Sequence, residues 1–310
     1  MLLGWIGCWC AITCAAQLPT FEGLKRLNGT NLFVRVVGKG DPLVIMHGGP
    51  GMNQSYLVPH LMPLAKRYQL IFFDQRASGQ SAVPLPDSIS LDFTADDIEA
   101  IRQEWKLEKI SLLSHSWGVI PAVHYALDHP DRVHKMIWCN PVPLSTEYNT
   151  DLALAQQKRM TRQDSVDRAR ILQSPEFKAG DAQAYHQLLL LSFRHSFHNS
   201  IQAKKFIYET PANYVQASRA LFAGMGDDLS EYNYYNNLKE CVAPVLILHG
   251  TYDAIPLSIQ QRAIENLPKG FLRTFPASGH FVFIDEPDRF RKEVIGFLSP
   301  TPPKKGAKKK

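Results

Sequence analysis

The stretch Ile110-Ser111-Leu112-Leu113-Ser114-His115-Ser116-Trp117-Gly118-Val119-Ile120-Pro121-Ala122-Val123-His124-Tyr125-Ala126-Leu127 decides how the chain is read. Ile110–Leu113 is a short apolar run of the kind that forms a buried strand. Val119–Leu127 continues as a helix. Between them the chain must turn sharply at Ser116. A serine on such a strand-to-helix turn has its hydroxyl pushed clear of the backbone, and the helix N-terminus behind it favours developing negative charge. The turn crowds backbone atoms, so small residues are needed two before and two after the serine. Gly118 meets this demand. Ser114 stands where glycine is usual, small enough to fit but with less room.

The pattern on either side is the same. Leu32–Val37 and Leu43–Met46 read as strands, the second running into His47-Gly48-Gly49-Pro50-Gly51. Gln69–Phe73 ends in Asp74-Gln75-Arg76. Thr94–Trp105 has helical periodicity, with Thr94 as the expected N-cap. Val133–Trp138 is the next strand. The rhythm breaks near residue 145. From 145 to 238 there are helical stretches, such as Leu152–Leu172 and Ala182–Arg194, and no strand pattern. Strands return at Pro244–Leu248 and Phe271–Phe275, and Asp288–Leu298 reads as a closing helix. Alternating strands and helices imply an α/β fold, a mostly parallel sheet with helices on both faces. Ligands bind such sheets beyond the carboxyl ends of the strands. The expected organisation is a core of residues 17–144 and 239–300 interrupted by an all-helical cap, 145–238.

Composition bounds the function. The net charge is +5, and Lys304, Lys305, Lys308, Lys309 and Lys310 at the end of the chain equal that excess. The rest is near neutral, which argues against a nucleic-acid-binding body. Residues 301–310 have nothing to bury and are expected to be a disordered basic tail. Residues 1–16 are uncharged and almost wholly apolar, too short for a comfortable membrane span. They resemble the hydrophobic region of a signal peptide but lack its positive start. Export is the expectation. Lipidation at Cys14, or a start misassigned upstream of a cytoplasmic enzyme, are its alternatives. Of five cysteines only Cys139 and Cys241 lie in the body, beside apolar runs, and two buried free thiols are expected. No dinucleotide fingerprint, phosphate loop or metal spacing occurs, so no cofactor and no metal is expected.

Two further strand ends carry chemistry. Val245–Leu248 leads to His249-Gly250-Thr251-Tyr252-Asp253, and Phe271–Phe275 leads to Pro276-Ala277-Ser278-Gly279-His280. Asp253 alone reads as a loop aspartate, and His280 alone as a surface histidine. Together with Ser116 they follow the order Ser, Asp, His, each after its own strand, with a long insertion between the first two. This is the order of the α/β-hydrolase architecture. Ser116 is then the nucleophile, His280 the general base, and Asp253 the group that orients the base. Histidine suits this work because it changes charge near neutrality. An oxyanion needs preorganised donors. The N–H of Trp117 supplies one, and the 47–51 loop supplies the other, with Gly49 favoured.

His47-Gly48-Gly49-Pro50-Gly51, Asp74-Gln75-Arg76-Ala77-Ser78-Gly79-Gln80-Ser81, Ser114–Gly118, His249–Pro256 and Ser278–Phe281 together resemble the proline iminopeptidase family and its relatives among the serine peptidases of the α/β-hydrolase superfamily. The likeness spans about residues 30–300, strong in the core and weak in the cap. It implies an α/β-hydrolase fold and release of N-terminal residues, often proline, from short peptides. In the family, Asp74 and Arg76 match residues that buttress the site, as His47 and Gly48 do here. Ala77 stands where glycine is usual. Family members hold the substrate ammonium with acidic cap residues. The candidates here are Asp227, Asp228 and Glu231, with exposed cap acids as the equal alternative. His195 and His198 read as packing residues. Tyr232, Tyr234 and Tyr235 either line a pocket or pack the cap on the core.

The expected partner is a small peptide, amide or ester, with no nucleic acid and no integral membrane span. Aminopeptidase chemistry leads. Carboxylester hydrolysis is the alternative on the same scaffold, and a non-catalytic binding protein is the distant one. Epoxide or haloalkane hydrolysis would place a carboxylate at position 116.

Overall fold

A computed structural model describes residues 19–299. The expected leader, with Cys14, and the basic tail lie outside the described residues. Among these residues, eight strands form one sheet: β1 (Phe21–Leu27), β2 (Thr30–Val37), β3 (Asp41–Met46), β4 (Tyr68–Phe73), β5 (Ile110–His115), β6 (Val133–Cys139), β7 (Val245–Gly250) and β8 (Gly270–Phe275). Their order is β1-β2-β4-β3-β5-β6-β7-β8. β2 runs antiparallel to β1 and β4, and every other pairing is parallel.

The central strands are buried on both faces, and their side chains alternate between two apolar layers. Val44, Met46, Leu112, Met136, Trp138, Val245 and Ile247 face one layer. That layer is closed by the helices Leu91–Glu104, Val119–Asp128 and Leu257–Asn266. Leu43, Ile45, Leu113, Ile137, Cys139, Leu246 and Leu248 face the other. There the helix Pro287–Leu298 contributes Phe290, Val294 and Leu298. Cys139 and Cys241 are both buried and free, as expected.

Two sequence expectations shift, and one strand, β1, precedes the first strand read from the sequence. β1 breaks the strand pattern because Leu24 points to solvent, 57% exposed, while Lys25 lies over the Phe21 ring and pairs with Glu104 at 2.6 Å. The helix expected from Thr94 starts at Leu91. Ser90, in an extended conformation, caps it by accepting from Phe93 N–H. Thr94 is buried inside the first turn, and its hydroxyl donates back to the Ser90 carbonyl. The single helix expected over Leu152–Leu172 is two, Asn149–Gln157 and Arg162–Gln173. A reciprocal cap starts the second: Thr161 Oγ1 accepts from Asp164 N–H, and the Asp164 carboxylate accepts from Thr161 N–H.

Between β6 and β7 the chain is mainly helical, and its extended pairing among the described residues is one isolated bridge, Ser145 with Asn233. No helix among the described residues is long and apolar enough to cross a membrane.

Leu112 is fully buried mid-sheet. Leu112→Ala is expected to cost about 2–5 kcal/mol of stability, read as a lower urea midpoint with unchanged slope.

Candidate active site

β3 and β5 are neighbours, with Met46 in register with Ser114. A side chain at Gly118 would meet the His47 carbonyl oxygen at 2.5 Å and that of Met46 at 2.9 Å. Only glycine permits this approach. The chain turns with Ser116 at φ +54°, the left-handed region, which costs a non-glycine residue about 1–3 kcal/mol. Ser114 is accommodated, but its buried hydroxyl has no hydrogen-bond partner among the described residues.

The strand ends bring Ser116, His280 and Asp253 together. His280 Nε2 is 3.0 Å from Ser116 Oγ, and His280 Nδ1 is 2.9 Å from Asp253 Oδ2. Asn140, at the end of β6 with φ +47°, donates to Asp253 Oδ2 at 2.7 Å and to the Gly279 carbonyl at 3.1 Å. Ile255 N–H reaches Asp253 Oδ1 at 3.2 Å. Burial alone would raise the Asp253 carboxyl. The His280 imidazole outweighs it, with help from His249 and Ile255 N–H, and holds the carboxyl at about 2.

His280 sits on a loop fixed by the insertion. His280 N–H donates to the Ser196 carbonyl at 2.7 Å. A side chain at Gly279 would overlap Ser196. Phe197 stacks on Phe281 with centroids 4.7 Å apart.

A buried chain of hydrogen bonds lies beneath. Gly48 N–H donates to Tyr56 Oη at 2.7 Å, and Tyr56 Oη is 2.7 Å from His115 Nδ1. His115 Nε2 is 2.9 Å from the His280 carbonyl. A carbonyl only accepts, so Nε2 carries the proton and Tyr56 donates to Nδ1. Burial, with His280 alongside, pushes the His115 imidazole down to about 3, which keeps it neutral. Gly48 N–H is thereby occupied, whereas the N–H groups of Gly49 and Trp117 have no partner among the described residues. Both are where the sequence expects oxyanion donors.

The 74–81 segment holds the 47–56 loop. His47 Nε2 accepts from Gln75 N–H, and Gln75 Nε2 donates to the His47 carbonyl. Asp74 accepts from Gln54 N–H at 2.9 Å and Gln80 N–H at 2.8 Å. Ala77 adopts φ +55°, which explains why glycine suits that position.

A cavity of about 430 Å³ opens over Ser116, lined on the insertion side by Leu152, Arg159, Met160, Asp164, Arg168 and Phe193. Residues 41–287 match the family model described as the α/β hydrolase fold. The chain belongs to the α/β hydrolase family.

Within that family it is similar to proline iminopeptidases. It is 26% identical over 271 residues to that of Heyndrickxia coagulans, covering 84% of this chain and 92% of the relative. It is 24% identical over 291 residues to that of Saccharolobus solfataricus, covering 89% and 92%. Among solved structures, the proline iminopeptidase of Mycobacterium smegmatis superposes with a TM-score of 0.67 at 21% identity, covering 90% of this chain and 97% of that one. An esterase from Exiguobacterium antarcticum gives 0.65 at 21%, covering 89% and 99%. At that identity both attest the hydrolase fold alone.

Three sequence expectations need correction, and two are met. Asp227, Asp228 and Glu231 do not line the cavity. Asp228 instead accepts from Leu91 N–H at 2.7 Å, serving the N-terminus of the helix Leu91–Glu104. Arg76 does not buttress the site. Its guanidinium turns away to a buried pair with Asp97, at 2.5 and 2.9 Å, and to the Ser88 carbonyl. His195 is more than packing: it lines the cavity and lies 2.7 Å from Asp164 Oδ2. His198 is a packing residue as expected, edge-on against Tyr252. Of the two alternatives for the tyrosines the structure takes packing: Tyr232 and Tyr234 pack on Trp117 and His124, Tyr235 is buried, and none of the three lines the cavity.

Sequence reasoning missed Asn140, Tyr56 and His115. Asn140 follows a strand end, as Ser116 and Asp253 do, and that position was its one signal. Tyr56 carries none.

Tyr56→Phe leaves Gly48 N–H and His115 Nδ1 unpaired in buried surroundings, and is expected to cost about 1–3 kcal/mol of unfolding free energy. An unchanged urea midpoint would contradict the chain of bonds. Asp253 supplies a second test. Its carboxyl lies below the ordinary 3.8, so its contribution to stability is full above the unfolded value and is lost as pH falls through the folded one. Between about pH 4 and pH 2 the native protein should lose stability more steeply than Asp253→Asn. Parallel profiles would contradict the assignment.

Proposed function

We propose that this protein is a serine hydrolase that cleaves small amides or esters through an acyl-enzyme. The observation that carries the reading is the alignment of Ser116 Oγ, His280 and Asp253 at 3.0 and 2.9 Å, with Ser116 on a strained turn. His280 takes the hydroxyl proton as Ser116 attacks the substrate carbonyl. The oxyanion is received by the N–H groups of Gly49 and Trp117. His280 then protonates the leaving group, Ser116 holds the acyl group, and water attacks with His280 again as base. Asp253 and Asn140 hold the imidazole with its Nδ1 proton inward. Tyr56 and His115 are positioning residues that tie the oxyanion loop to the loop of the base. Residues 145–238 act as a cap that shapes the acyl and leaving-group sites.

For the substrate, the relatives' name supports release of N-terminal residues from short peptides. Ester hydrolysis is the second reading, favoured by the cavity itself. Its acids, Asp164 and Asp253, are both engaged by neighbouring side chains, which leaves no free carboxylate among the described lining residues for a substrate ammonium. Prolyl-, alanyl- and leucyl-naphthylamides assayed beside p-nitrophenyl acetate separate the two. Aminoacyl-amide turnover supports the aminopeptidase reading, and ester turnover alone moves the function to esterase.

Ser116→Ala and His280→Ala should each lower kcat by about 10³-fold or more, and the double variant by little beyond either, because the residues act as a unit. Asp253→Asn should also lose most activity. A harmless Asp253→Asn would remove that residue from the mechanism.

A further inference from the structure

The charges around the cavity do not balance in the usual way. Each acid of the lining has its own cationic or imidazole partner. Asp164 accepts from Arg194 at 2.6 Å, from His195 at 2.7 Å, and from the Thr161 hydroxyl and N–H at 2.7 and 2.8 Å. Asp253 is taken by His280, Asn140 and Ile255. Two arginines of the same lining have no carboxylate partner among the described residues. Arg159 is half-buried and donates to backbone carbonyls alone, those of Tyr252 and Asp253, the latter at 2.6 Å. Arg168 is exposed and takes part in no ion pair or side-chain hydrogen bond among the described residues.

A guanidinium cannot shed its charge, and its fork of N–H donors matches a carboxylate in a bidentate fashion. Two such groups, uncompensated on the wall of a cavity that contains Ser116, make that cavity attractive to an anion and costly for a free ammonium. We propose that Arg168, together with Arg159, forms a carboxylate-binding subsite, and that the preferred substrates are small esters or amides bearing a free carboxylate. The proposal rests on the serine hydrolase reading. The carboxylate belongs to the acyl group, as in the monoester of a dicarboxylic acid, or to the leaving group, as at the C-terminus of a short peptide. The chemistry recognised is the same.

Two matched ester pairs test it. Mono-p-nitrophenyl glutarate is compared with p-nitrophenyl valerate for the acyl side. The butyrate ester of 4-hydroxybenzoate is compared with phenyl butyrate for the leaving side. In at least one pair the carboxylate ester should have the higher kcat/KM, by about tenfold, the worth of one charge-assisted contact. That preference should weaken in high salt, because Arg168 is exposed. Arg168→Gln should collapse the ratio within that pair, and Arg168→Lys should restore part of it. Equal or reversed preference in both pairs, or an Arg168→Gln that lowers both members alike, would overturn the subsite while leaving the hydrolase intact. No turnover of any of the four esters above the Ser116→Ala level would overturn both the subsite and the hydrolase reading beneath it.

Discussion

The backbone of β3 passes so close to the turn after β5 that nothing larger than a hydrogen fits at Gly118. Much else depends on that approach. It forces the sharp turn that sets Ser116 at a positive φ. It also brings the loop after β3, with Gly48 and Gly49, beside the serine. A side chain at Gly48 would sit 3.1 Å from Ser116 Cβ and 3.0 Å from Tyr56 Oη. One steric constraint therefore locates the candidate nucleophile and its candidate oxyanion donors together. The cost is local strain, carried by a sheet whose central strands are buried on both faces.

The site is also a meeting of five strand ends. β3 brings the glycine loop, β5 Ser116, β6 Asn140, and β7 the turn to Asp253, while His280 follows β8. A parallel sheet aligns those ends on one edge by construction. The finer positions are set by polar bonds within the buried layer. The Gly48–Tyr56–His115–His280 chain joins the first loop to the last. The Gln75–His47 pair holds the first loop from the other side. The insertion adds the contact from the Ser196 carbonyl to His280 N–H, so the segment that lines the cavity also steadies His280.

The parts of this arrangement that were legible in the sequence share a cause. β3, β5, β6 and β7 are short runs of large apolar residues because both faces are covered, and the segments after β3, β5, β7 and β8 carry glycine, serine, aspartate and histidine in a fixed order. Steric demand at Gly118 and at the 47–51 loop leaves a mark on residue type. What was illegible depends on partners distant in the chain. Lys25 looks solvent-facing until Glu104 is beside it, and Leu24 then takes the outward place. Arg76 looks like a site residue until Asp97 claims it. Asp228 is an acid of the insertion that a helix end 137 residues earlier requires. The break at Thr161 was readable as a capping box, Thr161-Arg162-Gln163-Asp164, but the apolar spacing on either side masked it.

The proposed chemistry depends on the nucleophilicity of one hydroxyl, that of Ser116. Its most direct measurement is the mass of the intact protein after reaction with a fluorophosphonate, followed by peptide mapping of the adduct. A single phosphonyl group is expected on the peptide that contains Ser116, formed far more slowly in His280→Ala. An unmodified protein, or an adduct on any other residue, would contradict it.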